Sequence, residues 1–293
     1  MAVQRWVVGC VVLLLGTLAT VTLALVIVNL SFDRQSGMFG SFKRVGLVEL
    51  VGDIETSENI VDQLEHMRRD PSVHAVVLRL DSPGGGVAAS QEIYDAVQRL
   101  RKDDKPVVAS MGGVAASGAY YIACGADSIV ANPGTLTGSI GVIMSFPNTE
   151  ELFRKVGVRF EVVKTGKFKD MGSLSRPMTA EERQLLQGVL SNVYDQFVSA
   201  ISEGRGLERS EILPYADGRI FSGSQALDYG FVDRLGDLDD AIQLAGGLAG
   251  ISGHPVVVRK ERRRMSIVDL FQDKLRFVPG LSQAGPRLEY RLR

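Results

Sequence analysis

From residue 45 onward the chain repeats one pattern, a short β-branched run followed by an amphipathic stretch of helical period. Val45 to Val51 is apolar and β-rich, and Ser57 to Arg69 follows it with Ile60, Leu64 and Met67 at helical spacing. Ala75 to Leu80 reads as the next strand, Ala88 to Lys102 as a helix with Ile93, Val97 and Leu100 on one face, and Val107 to Met111 as a third strand. Strands that each lead into a helix pair most readily in parallel, through right-handed crossovers. The pattern therefore predicts an α/β fold, a mainly parallel sheet with flanking helices. It continues with strands over Ser128 to Ala131 and Arg159 to Val163, a long helix from Thr179 to Gly204, and shorter helices over Gly223 to Leu227 and Asp237 to Leu248. Thr179-Ala180-Glu181-Glu182 has the order of a capping box, with Leu185, Leu186, Val189, Val193, Phe197 and Ile201 as the expected buried stripe behind it.

The ends of the chain differ from this middle. Trp6 to Leu30 carries no charged residue. About 20 apolar residues cross a hydrocarbon core, and this run exceeds that, whereas a cleaved signal has an apolar region of about 7–15. A retained N-terminal transmembrane helix is expected. At the other end Arg259-Lys260-Glu261-Arg262-Arg263-Arg264 precedes the apolar Met265 to Phe271, a pairing that fits an anionic membrane surface but is better read as a solvated linker and short docking helix. The expected organisation is an anchor over 1–30, a tether over 31–44, one domain over 45–252 and a basic appendage over 253–293.

A formal net charge of −1 leaves no electrostatic footprint for nucleic acid. Cys10 and Cys124 sit in unlike settings, no C-x-x-C occurs, and His66, His74 and His254 are scattered. These features argue against a disulfide scaffold and a zinc site, and no cofactor is expected.

Two glycine-rich turns follow predicted strands. Asp81-Ser82-Pro83-Gly84-Gly85-Gly86 joins strand 75–80 to helix 88–102, where backbone amides at a helix start suit a phosphate or an oxyanion. It lacks the Lys-Ser/Thr ending of a P-loop and the spacing of a dinucleotide fingerprint. Gly112-Gly113-Val114-Ala115-Ala116-Ser117-Gly118-Ala119-Tyr120-Tyr121 surrounds a serine with small residues that let another chain approach. A serine nucleophile needs a proton acceptor, and no G-x-S-x-G elbow or recognisable catalytic histidine is present. A lysine serves if burial favours its neutral form. Lys164, Lys167 and Lys169 cluster together, and the local sequence does not distinguish them.

Several of these strings, in order and in register, resemble signal peptide peptidase A in its short form. They are Asp81–Gly86, the segment around Ser117, Leu136-Thr137-Gly138-Ser139-Ile140-Gly141-Val142, Lys169-Asp170 followed by Ser175-Arg176-Pro177-Met178-Thr179, Asp217-Gly218-Arg219-Ile220, and Ala226 to Asp233. The resemblance covers about residues 45 to 250. It implies a Clp-protease/crotonase-like fold and a Ser–Lys dyad, with Ser117 as nucleophile, Lys169 as base and Ser139 orienting the lysine. Gly84 and Gly118 fall at the amide donors of the oxyanion hole, and Gly85 could contribute. Asp81 stands where relatives often carry Asn. The resemblance also implies a homo-oligomeric ring in which serine and lysine meet across a protomer boundary. The ring would be held at the cell membrane by a single-pass anchor, with its catalytic domain on the extracytoplasmic side. The implied substrates are residual signal peptides or other apolar peptides. Three rival readings compete with it: a related membrane Ser–Lys peptidase acting on stomatin-like or misfolded envelope proteins, a crotonase-type acyl-CoA enzyme, and an inactive peptide-binding scaffold.

Overall fold

A computed structural model of the chain describes residues 43–260 and 288–291, together with Thr20. The expected anchor apart from Thr20, nearly all of the tether, and the apolar part of the appendage lie outside the described residues. Among the described residues no helix is long and apolar enough to cross a membrane.

In chain order the first half holds β1 (Arg44–Val51), α1 (Glu58–Arg69), β2 (Val73–Ser82), β3 (Gly84–Gly86), α2 (Val87–Lys102), β4 (Val107–Ala116), α3 (Gly118–Ala123) and β5 (Ser128–Ala131). The second half holds β6 (Leu136–Gly138), β7 (Ile143–Met144), α4 (Glu150–Lys155), α5 (Ala180–Arg205), α6 (Arg209–Ile212), β8 (Ile220–Ser222), α7 (Gly223–Asp228), β9 (Arg234–Leu235), α8 (Leu238–Leu248), β10 (Val256–Val258) and β11 (Leu288–Arg291). The main sheet runs β10-β1-β2-β4-β5-β9 with every neighbouring pair parallel, as the alternation of strands and helices predicts. β6 adds in parallel to the far end of β4, and β8 pairs antiparallel with β6.

Helices cover both faces of the sheet, which explains why its central strands read as unbroken apolar runs rather than alternating ones. On one face Val76, Leu78 and Leu80 of β2 join Leu64, Met67, Ile93, Leu100, Met111 and Phe197 in the main core. On the other, Ala75 and Val77 meet Val45, Leu47 and Val108 beneath Ala241, Ile242 and Ala245 of α8. Both rings of the capping box at Thr179 and Glu182 close, fixing the start of α5.

Three expectations differ from the structure. Arg159–Val163 is not a strand: it has strand composition but pairs with no strand among the described residues, and Phe160, Val162 and Val163 are exposed. The apolar stripe of α5 is buried only over its second half, at Val193, Phe197 and Ile201, whereas Leu185 and Val189 are nearly half exposed. The segment beyond residue 252 contributes two strands: β10 extends the main sheet beside β1, and β11 lies between β3 and β7 in a second, antiparallel sheet.

Candidate active site

Parallel strands collect loop chemistry at their carboxyl ends, and the candidate residues gather there. Ser82 at the end of β2 lies in register with Ala115 near the end of β4, so the two glycine-rich turns leave the sheet side by side. Asp81 ties them together, its Oδ1 accepting from the Val114 amide at 3.1 Å.

Ser117 occupies the single position between β4 and α3. Its φ of 54° lies in the left-handed region that non-glycine residues rarely adopt. Pairing with β6 holds it there: Ala116 is in register with Gly138, and the Ser117 amide donates to the Gly138 carbonyl at 2.8 Å. The side chain is 1% exposed, and its Oγ has no hydrogen-bond partner among the described residues. A buried hydroxyl without a partner costs about 1–3 kcal/mol, so it marks a site held ready for another group rather than a structural serine. Ser139 lies just past Gly138, also at positive φ (51°), with its amide donating to the Arg219 carbonyl at 2.7 Å. The parallel pairing of β4 with β6 thus places Ser117 and Ser139 just past the ends of two neighbouring strands.

The glycines of the first turn approach the serine segment closely. Gly84 has φ 101°, and a Cβ there would lie 2.8 Å from the Gly118 amide nitrogen, so no side chain fits between them. In this conformation the Gly84 amide donates to Ser82 Oγ at 3.1 Å. The Ile54 amide donates to the Gly84 carbonyl at 2.9 Å, and the Gly86 amide to the Ile54 carbonyl at 2.8 Å. That bridge turns the Gly85 amide and carbonyl to the opposite edge, toward β11. Gly85 therefore presents its amide to the groove, with the Gly118 amide at the start of α3 beside the same turn.

The three lysines, alike in sequence, differ in their partners. Lys164 is paired with Asp170, and Lys167 with Glu181. Lys169 is exposed, and its amine has no hydrogen-bond or ion-pair partner among the described residues. Its backbone is anchored from the next residue onward. Asp170 accepts from Arg176 Nη2 at 2.9 Å, and Arg176 Nη1 donates to Glu182 Oε2 at 2.9 Å. Arg176 and Lys164 hold the Asp170 carboxyl well below the usual carboxylate range, and Arg176, helped by the Thr179 amide, holds that of Glu182 down to about 2. Within one chain neither Lys169 nor any histidine hydrogen-bonds the Ser117 hydroxyl. Cys124 is fully buried, which pushes its thiol up to about 12 and leaves it inert as a nucleophile.

β11 carries little local signature. A four-residue alternation, Leu288-Glu289-Tyr290-Arg291, was its only signal, too short to separate from a solvated tail.

Comparison with known proteins shows the family. Residues 99–252, just over half of the chain, match the model of peptidase family S49, and residues 35–134 match that of Clp protease. A putative protease of Synechocystis is 45% identical over 71% of this chain and 76% of its own length. A putative signal peptide peptidase SppA of Enterococcus faecium is 39% identical over 63% of this chain and 54% of its own. Protease 4 of Salmonella typhi is 38% identical over 66% and 31%. Parallel-sheet architecture, the serine at the strand-to-helix junction and these matches together place the chain in peptidase family S49, as a serine peptidase of the signal peptide peptidase A type.

Proposed function

We propose that this peptidase is a membrane-anchored endopeptidase that degrades residual signal peptides, with Ser117 as nucleophile and Lys169, supplied by a neighbouring protomer, as general base. The observation that carries the reading is a mismatch within one chain. Ser117 Oγ is buried without a partner, while Lys169 is exposed without one. A lysine acts as base only as the neutral amine, which burial favours, and a second protomer is what would bury it. The stretch bearing Lys169 also exposes Leu152, Val156, Val158, Phe160, Val162 and Val163, an apolar surface suited to such a contact.

In the proposed reaction Lys169 takes the Ser117 proton as Oγ bonds to a substrate carbonyl carbon, with Ser139 orienting the amine. The Gly85 and Gly118 amides receive the oxyanion, the Gly84 amide being bound to Ser82 Oγ; removing one such donor costs about 3–4 kcal/mol of transition-state stabilisation. The peptide C–N bond breaks and the leaving amine takes the proton from Lys169. Water, activated by the same amine, then hydrolyses the acyl-enzyme.

The test uses full-length protein in detergent or vesicles. Ser117→Ala and Lys169→Ala should each abolish cleavage of an apolar signal peptide, and mixing the two under subunit exchange should restore part of it. Activity surviving Lys169→Ala would remove the lysine from this role. Preference for stomatin-like or misfolded envelope segments over signal peptides would keep the dyad and replace the substrate.

A further inference from the structure

The strand β11 occupies the groove of this site as an extended peptide would. Tyr290 stands opposite Gly85 and Arg291 opposite Gly84, while Leu288 and Glu289 pair with Met144 and Ile143 on the other side. The Tyr290 carbonyl oxygen lies against the glycine cradle: a Cβ at Gly84 would fall 2.1 Å from it, and one at Gly118 3.2 Å. The Tyr290 ring is fully buried, stacked on Tyr121 at 5.3 Å and tilted against Phe197 at 4.7 Å, and its hydroxyl donates to the Val193 carbonyl at 3.0 Å. Along a strand the next side chain points to the opposite side. There Arg291 Nη2 donates to Asp53 Oδ2 at 2.6 Å.

Asp53 does not hang from a free loop. Its neighbour Ile54 is bonded to Gly84 and Gly86, so the carboxylate is fixed to the same turn that carries the amide cradle. It opens on a cavity of about 650 Å³ that Glu55, Gln91, Gln196 and Arg291 also line, roomy enough for a long basic side chain. Resting on the peptidase site proposed above, we infer that Asp53 is a specificity-determining residue. It selects substrate peptides with a basic residue directly after the aromatic residue whose carbonyl meets the cradle. The chain's own Tyr290-Arg291 pair displays that recognition, and a substrate replaces it strand for strand.

Two peptides carrying one tyrosine, identical except for Arg or Glu after it, test the assignment on the full-length enzyme. The Asp53–Arg291 pair is partly exposed, with both side chains at 39%, so wild type should favour the Arg peptide by about two- to five-fold in kcat/KM. The preference should be carried in KM, with cleavage after the tyrosine. Asp53→Asn should bring the ratio close to one and Asp53→Arg should invert it. An unchanged ratio in both variants, or cleavage away from the tyrosine, overturns the inference. Binding of the same peptides to the Ser117→Ala protein, read by fluorescence anisotropy, should follow the same order. Equal affinities there overturn the inference without reference to turnover. The expected order in binding, with no cleavage by wild type, would instead refute the catalytic assignment and leave Asp53 in its role.

Discussion

Replacing Tyr290 with alanine should open the groove and lower KM without changing kcat. Ordering the four residues of β11 costs about 4–8 kcal/mol in backbone entropy alone. Against it stand burial of the ring at about 2–3 kcal/mol, its hydroxyl bond at about 1, and two ring contacts at about 1 each. The short ladders to β3 and β7 add about 1 kcal/mol per net hydrogen bond. Gains and costs nearly cancel, so the strand is held by a margin on the order of 2 kcal/mol. Truncating a fully buried aromatic removes about 3–5 kcal/mol, more than that margin, and β11 should leave. A competitor favoured by about 2 kcal/mol raises apparent KM about 30-fold, and its loss should lower KM by that factor. Saturating substrate displaces the strand in either protein, so kcat should not move. Steady-state kinetics on an apolar peptide, beside a melting curve, make the measurement. An unchanged KM with a lowered melting temperature would refute the reasoning, because Tyr290 would then be a core residue and not a displaceable occupant.

Two glycines of α5 should respond oppositely to alanine. At Gly204 an added Cβ falls 2.0 Å from the Cys124 carbonyl oxygen, so Gly204→Ala should cost about 1–3 kcal/mol and lower Tm by roughly 2–12 °C. At Gly188 nothing lies within 4 Å, and Gly188→Ala should stabilise by about 0.4–1 kcal/mol. Acid should loosen the segment bearing Lys169. Arg176 depresses the Glu182 carboxyl from its usual 4.5 to about 2, so the clamp is complete above pH 4.5 and is lost as pH falls toward 2. Hydrogen exchange over residues 164–182 should rise through that window, and Arg176→Ala should raise it already at pH 6. Val163→Asp, at a fully exposed position, should leave the melting of a single domain unchanged yet reduce assembly and specific activity together. Analytical ultracentrifugation beside an activity dilution series checks this, and full activity in a dissociated variant would refute the shared site.

How much was legible depended on whether the deciding contact is local. The spacing of Ile93, Val97 and Leu100 sufficed for α2, because a helix records its buried face every three or four residues. The capping box at Thr179 is local in the same sense. β4 runs on to Ala116 through Gly112 and Gly113, residues that read as a break, because β6 supplies a partner for Val114 to Ala116. Arg159–Val163 has equal β-propensity and lacks such a partner, so it stays irregular. The choice among Lys164, Lys167 and Lys169 is of the non-local kind too. Only the placement of Asp170 and Glu181 shows that two of the three amines are already engaged. β11 pairs with a turn some two hundred residues earlier, a contact that no window of sequence contains.

The exposed surface and the proposed base, Lys169, fall on one stretch of chain. Between β7 and the middle of α5 the domain leaves its large apolar side chains uncovered: none is buried in α4, and Leu185 and Val189 of α5 remain open. Elsewhere the same chain packs Tyr120, Phe197 and Phe231 to full burial, so weak hydrophobicity does not account for the difference. The exposed stretch is nonetheless held in place by the Asp170–Arg176–Glu182 cluster and the capping box of α5. Rigid backbone, uncovered apolar side chains and an unpartnered amine at Lys169 are what a surface needs to enter a preformed groove. Ser117, buried and also unpartnered among the described residues, sits beside the groove that β11 fills, and Arg291 of that strand lines two cavities of about 650 and 670 Å³. In the proposed assembly the two deficits cancel each other, since the contact that covers the apolar stretch is also the one that buries the lysine. A protomer alone would then be a folded but unarmed peptidase, its groove occupied by its own strand and its nucleophile without a base.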